Sequence, residues 1–118
     1  MKKSDLVTLL LSYSVCEKFL KSQEYAKDFF NPYDTQKVSK QEQYEARMNV
    51  VESLLQLLEP SNEYTLLHLH YIKGIPIEKC AECMSISRAT GFRMLKRGHE
   101  LILNLVNRRT ENEQRETD

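Results

Sequence analysis

Two long stretches in the N-terminal half of the chain repeat apolar residues at the spacing of a helix face. Residues 4–30 predict one helix, with Ser4 as its N-cap and its end before Pro32, because a residue that precedes proline disfavours the α conformation. Residues 32–35 then form a turn. A second helix is predicted from Lys37 to Leu58, and Pro60 ends it. The apolar positions that carry the first prediction are Leu6, Leu9, Leu10, Tyr13, Cys16, Phe19 and Leu20.

These two helices are expected to form a long N-terminal helical hairpin, a helical arm of residues 1–60. Each apolar face could bury the other in an antiparallel pair. A two-helix hairpin alone buries little core, so a dimerisation or partner surface is the alternative. The pattern does not decide between them.

Residues 61–109 carry shorter elements separated by turn signals, and they predict a second unit. Ser61 or Asn62 begins a helix that ends near Ile72, where Gly74 supplies the stop. Pro76 suits the first turn of a short helix over residues 77–84. Residues 85–87 form a turn, and the last helix runs from Arg88 to about residue 107, with Leu95, Gly98, Ile102 and Leu105 or Val106 facing inward. Residues 110–118 are charged and are expected to be a disordered tail.

The amino-acid composition indicates the fold class and the cellular compartment of the protein. Three glycines and three prolines in 118 residues, with few β-branched runs, indicate an all-α protein. Three cysteines, an odd number, fit reduced thiols, and no apolar run approaches the roughly 20 residues of a membrane span. A cytoplasmic protein without a membrane partner is expected.

The charge of the chain is zero overall but unevenly distributed. Seventeen basic residues balance seventeen acidic ones, which alone argues against a nucleic-acid partner. Between Met84 and Arg109, however, Glu100 is the one acidic residue, against six basic residues at positions 88, 93, 96, 97, 108 and 109. A DNA duplex responds to charges within a Debye length of about 8–10 Å, so the local excess of basic residues outweighs the neutral charge of the whole chain.

Catalytic and metal chemistry find little support in the sequence. Cys80 and Cys83 form a C-x-x-C, but both fall in a predicted helix and no second ligand pair accompanies them. No nucleophile–base pair, paired carboxylates or glycine-rich phosphate loop is present. A protein that is not an enzyme, with no cofactor and no metal, is expected. His99 is expected at the surface or beside a phosphate.

Residues 71–93, Y-I-K-G-I-P-I-E-K-C-A-E-C-M-S-I-S-R-A-T-G-F-R, resemble the helix-turn-helix of the C-terminal, promoter-reading region of sigma factors of the seventy class. The family pattern is R-Y-I-x-G-x-S-x-E-E-I-A-x-x-L-G-I-S-x-x-T-V-x-R. With its small size and helical arm, the chain is similar to the phage late-transcription regulators of the ArpU and RinA group. Ser85 replaces the turn glycine and requires either an unusual φ or a slightly different turn. Gly91 replaces a branched apolar residue, and Phe92 is expected to fill that space.

The resemblance implies an extended recognition helix that begins at Arg88, and a DNA-binding transcription regulator, phage- or prophage-encoded, whose partners are double-stranded DNA and RNA polymerase. A homodimer through the N-terminal helices is a further expectation. Arginine and lysine side chains can bind the base edges and the phosphates of DNA. The alternatives are an adaptor or antagonist that acts on RNA polymerase or a sigma factor, and a phage small terminase-like DNA-packaging subunit. The candidate DNA-binding residues are Ser87, Arg88, Thr90, Arg93, Lys96, Arg97, Lys73, Arg108 and Arg109.

Overall fold

The computed structural model describes residues 1–25 and 35–116, and within them the protein is all-α, as predicted. The predicted end of the first helix at residue 30 and most of the turn at 32–35 lie outside the described residues. The helices are α1 (Lys3–Tyr25), α2 (Thr35–Gln56), α3 (Asn62–Leu67), α4 (Ile77–Cys83) and α5 (Arg88–Glu116), and a π-helical segment (His68–Ile72) continues α3.

Helices α1 and α2 pack against each other in opposite directions. The hydroxyl of Tyr13 donates a hydrogen bond to Oε1 of Glu52 at 3.1 Å. Six residues further along α1, the ring centroid of Phe19 lies 4.3 Å from that of Tyr44 on α2. Burial and the Glu52 carboxylate raise the pKa of Tyr13 to about 12. Four of the predicted apolar positions of α1 are buried, namely Leu6, Leu10, Tyr13 and Cys16. Val51 and Leu55 of α2 are buried as well.

One hydrophobic core joins these helices to the rest of the described chain. Leu6 and Leu10 of α1 are fully buried in the same cluster as Leu67, Tyr71 and Ile102. The cluster therefore contains residues from both sides of the predicted boundary at residue 60. Burying one large apolar side chain contributes roughly 1.5–3 kcal/mol to stability, so these buried residues are the main stabilisation of α1 against α5.

Local capping signals set the ends of the short elements. Ser61 caps α3, and its hydroxyl accepts the backbone N–H of Tyr64 at 3.1 Å. Gly74 follows the π-helical segment with a φ of 71°, which glycine adopts without steric cost. Ser61 and Gly74 thus act as predicted.

Helix α5 is longer than predicted. The sequence predicts an end near residue 107 and a disordered tail over residues 110–118, but the helix continues to Glu116. Residues 110–116 contain no glycine or proline and include glutamate, glutamine and arginine, which favour helix even without an apolar face. Residues 117 and 118 lie outside the described residues.

None of the helices in the described ranges combines the length and the apolar character that crossing a membrane requires.

Candidate nucleic-acid interface

The turn between α4 and α5 is built by two serines. Ser85 has a φ of 57°, in the left-handed region, so the sequence prediction of an unusual backbone conformation here is confirmed. Ser87 caps α5: its hydroxyl accepts the backbone N–H of Thr90 at 3.1 Å and donates to the Thr90 hydroxyl at 2.8 Å. The first turn of α5 is therefore ordered by its own side chains while Ser87 and Arg88 remain exposed.

Helices α4 and α5 cross closely because α5 has a glycine at the crossing. Ala81 of α4 is buried, and a Cβ placed on Gly91 would lie 3.3 Å from the Ala81 Cβ and 3.5 Å from Cγ2 of Ile77. The expectation that Phe92 fills the space left by Gly91 is wrong, since its side chain is 43% exposed. The helices close the space by approaching each other.

The first turns of α5 present a basic face opposite the buried one. Arg93, Lys96 and Arg97 follow an i, i+3, i+4 pattern, so they share one exposed side of the helix. Gly98 and Ile102 are buried on the other side. Within the part of the chain that the structure describes, the side chains of Arg93 and Lys96 form no ion pair, and their charges face solvent.

Ion pairs tie two arginines of α5, Arg88 and Arg97, to other helices. Arg88 lies 3.3 Å from Glu78 of α4, and Arg97 lies 3.7 Å from Glu63 of α3. Exposed pairs of this kind contribute at most about 1 kcal/mol, so their main effect is to orient the guanidinium groups. The Arg88 guanidinium also lies over the ring of Phe92, 5.6 Å from its centroid.

The remaining predicted residues lie apart from this basic face. Arg108 is 15 residues beyond Arg93, which corresponds to about 22 Å along the helix. Arg109 lines a cavity between α2 and α5, and Arg108 lines a separate cavity between α5 and the turn over residues 57–61. Lys73 is exposed and lines a shallow cavity with residues of α1. Six of the predicted residues thus lie in the cap and the first three turns of α5: Ser87, Arg88, Thr90, Arg93, Lys96 and Arg97. Lys73, Arg108 and Arg109 lie elsewhere.

His99 belongs to the core, and its expected surface position is wrong. It is 5% exposed, and its Nε2 shares a 2.8 Å hydrogen bond with the hydroxyl of Tyr71. Burial, followed by the charges of Lys3 and His70, lowers the pKa of His99, so the imidazole is held neutral. Its spacing from Leu95 (i+4) and Ile102 (i−3) was the available signal for a buried position.

The two cysteines of the C-x-x-C motif occupy different environments. Cys80 is buried, its thiol donates to the carbonyl of Ile75 at 3.4 Å, and burial raises its pKa. Cys83 is exposed. A raised pKa keeps the Cys80 thiol protonated and poorly nucleophilic. Among the described residues, no group of three or more histidine, cysteine, aspartate or glutamate side chains is placed to hold a metal ion.

No protein-family model matches the chain, and comparison with curated proteins and with solved structures gives no match either.

Proposed function

We propose that this chain is a sequence-specific DNA-binding transcription regulator that inserts the N-terminal turns of α5 into the major groove of double-stranded DNA. The observation that carries the proposal is the exposed face formed by Arg93, Lys96 and Arg97 at the capped end of α5. That end follows a short helix and a tight turn, the arrangement in which the second helix of a helix-turn-helix reads bases.

The electrostatics of this face favour DNA in spite of the neutral chain. Arg93 and Lys96 offer unshared positive charge, and the guanidinium of Arg93 can pair with the O6 and N7 atoms of guanine. Arg97 and Arg88 are held by their carboxylate partners at the edges of the face, where phosphates of the flanking backbone would lie. We therefore assign base reading to Arg93 and phosphate contacts to Arg88 and Arg97.

The finer parts of the proposal rest on the sequence resemblance. A phage or prophage origin, a role in late transcription, contact with RNA polymerase and cytoplasmic action are what a sigma-like helix-turn-helix implies. Arg108 and Arg109, remote from the basic face, would contact DNA only beyond the central base pairs. Dimerisation through α1 and α2 would place two copies of α5 on half-sites one helical turn apart.

Selection from a pool of random duplex DNA, followed by sequencing, tests the proposal. We expect an enriched motif for the wild-type chain and its loss in Arg93→Ala, because the guanine contact contributes about 1–3 kcal/mol of discrimination. Arg47→Ala, an exposed arginine of α2 with the same change of charge, is the matched control and should keep the motif. Binding should also weaken steeply with salt.

A second candidate, a protein-interaction module, is favoured by the groove between α2 and α5. Val50, Leu54, Leu57 and Val106 line a cavity of about 400 Å³ there, and Val50 is exposed. A chain that binds RNA polymerase or a sigma factor, but shows no salt-sensitive affinity for duplex DNA, would support this function and contradict the first. A ring-sized oligomer in solution would instead point to the terminase-like alternative.

A further inference from the structure

Phe92 is a large apolar side chain on a helix face that is otherwise polar or charged. It follows Arg88 by one helical turn and directly precedes Arg93, within the exposed turns of α5. Its side chain is 43% exposed, although burying a phenylalanine is worth roughly 1.5–3 kcal/mol. The core does not include it.

The ring of Phe92 is the last member of a chain of side-chain contacts that begins at Glu78 of α4. The Arg88 guanidinium lies over it at 5.6 Å from the ring centroid, and Arg88 is itself tied to Glu78 of α4 at 3.3 Å. Such a stack contributes about 0.5–1 kcal/mol at an exposed site. The chain of contacts from α4 through Arg88 therefore orients one aromatic ring toward the ligand side of α5.

The major groove of DNA has one apolar group at its base edges, the 5-methyl of thymine, and phenylalanine is one of the side chains that contact it. Every other base edge there offers hydrogen-bond donors and acceptors, which an aromatic ring cannot satisfy. An apolar ring one helical turn before Lys96 of the basic face therefore fits a thymine, and it disfavours a cytosine with its polar amino group.

We propose that Phe92 is a specificity-determining residue that contacts the 5-methyl group of a thymine neighbouring the base pair read by Arg93. This inference rests on the proposed function of α5 as a major-groove reader. It adds a requirement that a basic helix face does not imply, because phosphate and guanine contacts are insensitive to a thymine methyl group.

Replacing single thymines by deoxyuridine in the enriched duplex tests this contact, since the change removes one methyl group and leaves pairing intact. We expect one position at which the wild-type chain binds about fourfold more weakly, the ratio that corresponds to burying one methyl group. Phe92→Ala should bind the thymine and deoxyuridine duplexes equally. Phe92→Leu, which keeps an apolar side chain, should retain the preference. The control Leu105→Ala, an apolar change at a 36% exposed site of α5 far from its first turns, should retain it as well.

The outcomes separate this inference from the function on which it rests. If a motif is enriched but no thymine is sensitive to deoxyuridine, or Phe92→Ala keeps the sensitivity, the contact is refuted and the regulator remains. If the wild-type chain enriches no motif, the proposed function itself fails. Circular dichroism melting shows whether Phe92→Ala is folded; were it not, Phe92→Gln, which keeps bulk but adds polar groups, should lose the preference, and its retention there would refute the contact.

Discussion

Replacing Gly98 with alanine adds a methyl group to the buried side of α5, where Leu67 leaves no room for it. The added Cβ would lie 2.6 Å from Cδ1 and 3.3 Å from Cγ of Leu67. Carbon atoms in contact prefer separations of about 3.5–4.0 Å, so the Cδ1 contact is about 1 Å too short. Leu67 is fully buried and has no exposed direction in which to move.

The expected size follows from two opposing effects. Overpacking a core costs about 1–3 kcal/mol, and alanine gains about 1 kcal/mol over glycine in a helix interior. Because Leu67 is fully enclosed, we expect an overpacking cost in the upper part of its range. After the helix-propensity gain is subtracted, the free energy of unfolding should fall by about 1–2 kcal/mol. For a chain of this length that loss lowers Tm by several degrees, at about 3–6 °C per kcal/mol.

Gly91→Ala is the matched control in the same helix. Its Cβ would meet Ala81 at 3.3 Å and Ile77 at 3.5 Å, a slight overlap that the helix-propensity gain offsets, so stability should change by less than about 1 kcal/mol. Urea unfolding followed by circular dichroism compares the two variants. The reasoning is refuted if Gly98→Ala is as stable as the wild type, or if its cost persists unchanged when Leu67 is also replaced by alanine.

The other predictions concern one buried histidine and the turn before α5. We expect the free energy of unfolding to be highest above about pH 6.5 and to fall as the pH drops below that value. In this lower range the unfolded chain protonates His99, whereas the folded chain does not, because burial lowers the pKa of His99 in the folded state. Urea midpoints at pH 5.0 and 7.5 should therefore differ less in His99→Gln than in the wild type; equal differences would contradict this. Ser87→Ala removes the cap of α5 and should cost about 0.5–2 kcal/mol, measured by thermal melting. Ser85→Gly should instead raise the melting temperature, by relieving up to about 1–2 kcal/mol of left-handed strain, and an unchanged or lower value would count against that strain.

Local signals predicted the secondary structure best, because they act within one helical turn. The cap at Ser61, the stop at Gly74 and the left-handed Ser85 depend only on neighbouring backbone atoms. The true end of α5 was missed, because residues 110–116 have no apolar pattern and only a preference for helix. The π-helical turn at His68–Ile72 has no sequence signal that distinguishes it from a continued α3.

The candidate site was predictable to the extent that it lies on one helix. Helical spacing alone places Arg93, Lys96 and Arg97 on a common face, and it also separates Arg108 from them. The ion pairs with Glu63 and Glu78 could not be predicted, because they depend on how α3 and α4 pack against α5. The same holds for the outward position of Phe92, which follows from the close approach at Gly91.

The packing of α5 and the direction of its basic face have a common cause. Gly91 and Gly98 are seven residues apart, so they lie on the same side of the helix, one against Ala81 of α4 and the other against Leu67 of α3. Two close contacts on one side of a helix fix its rotation about its own axis. Arg93, nearly opposite that side, is thereby directed into solvent. Gly91 and Gly98 weaken the intrinsic helix propensity of α5, but their close contacts determine which side chains α5 can present to a ligand.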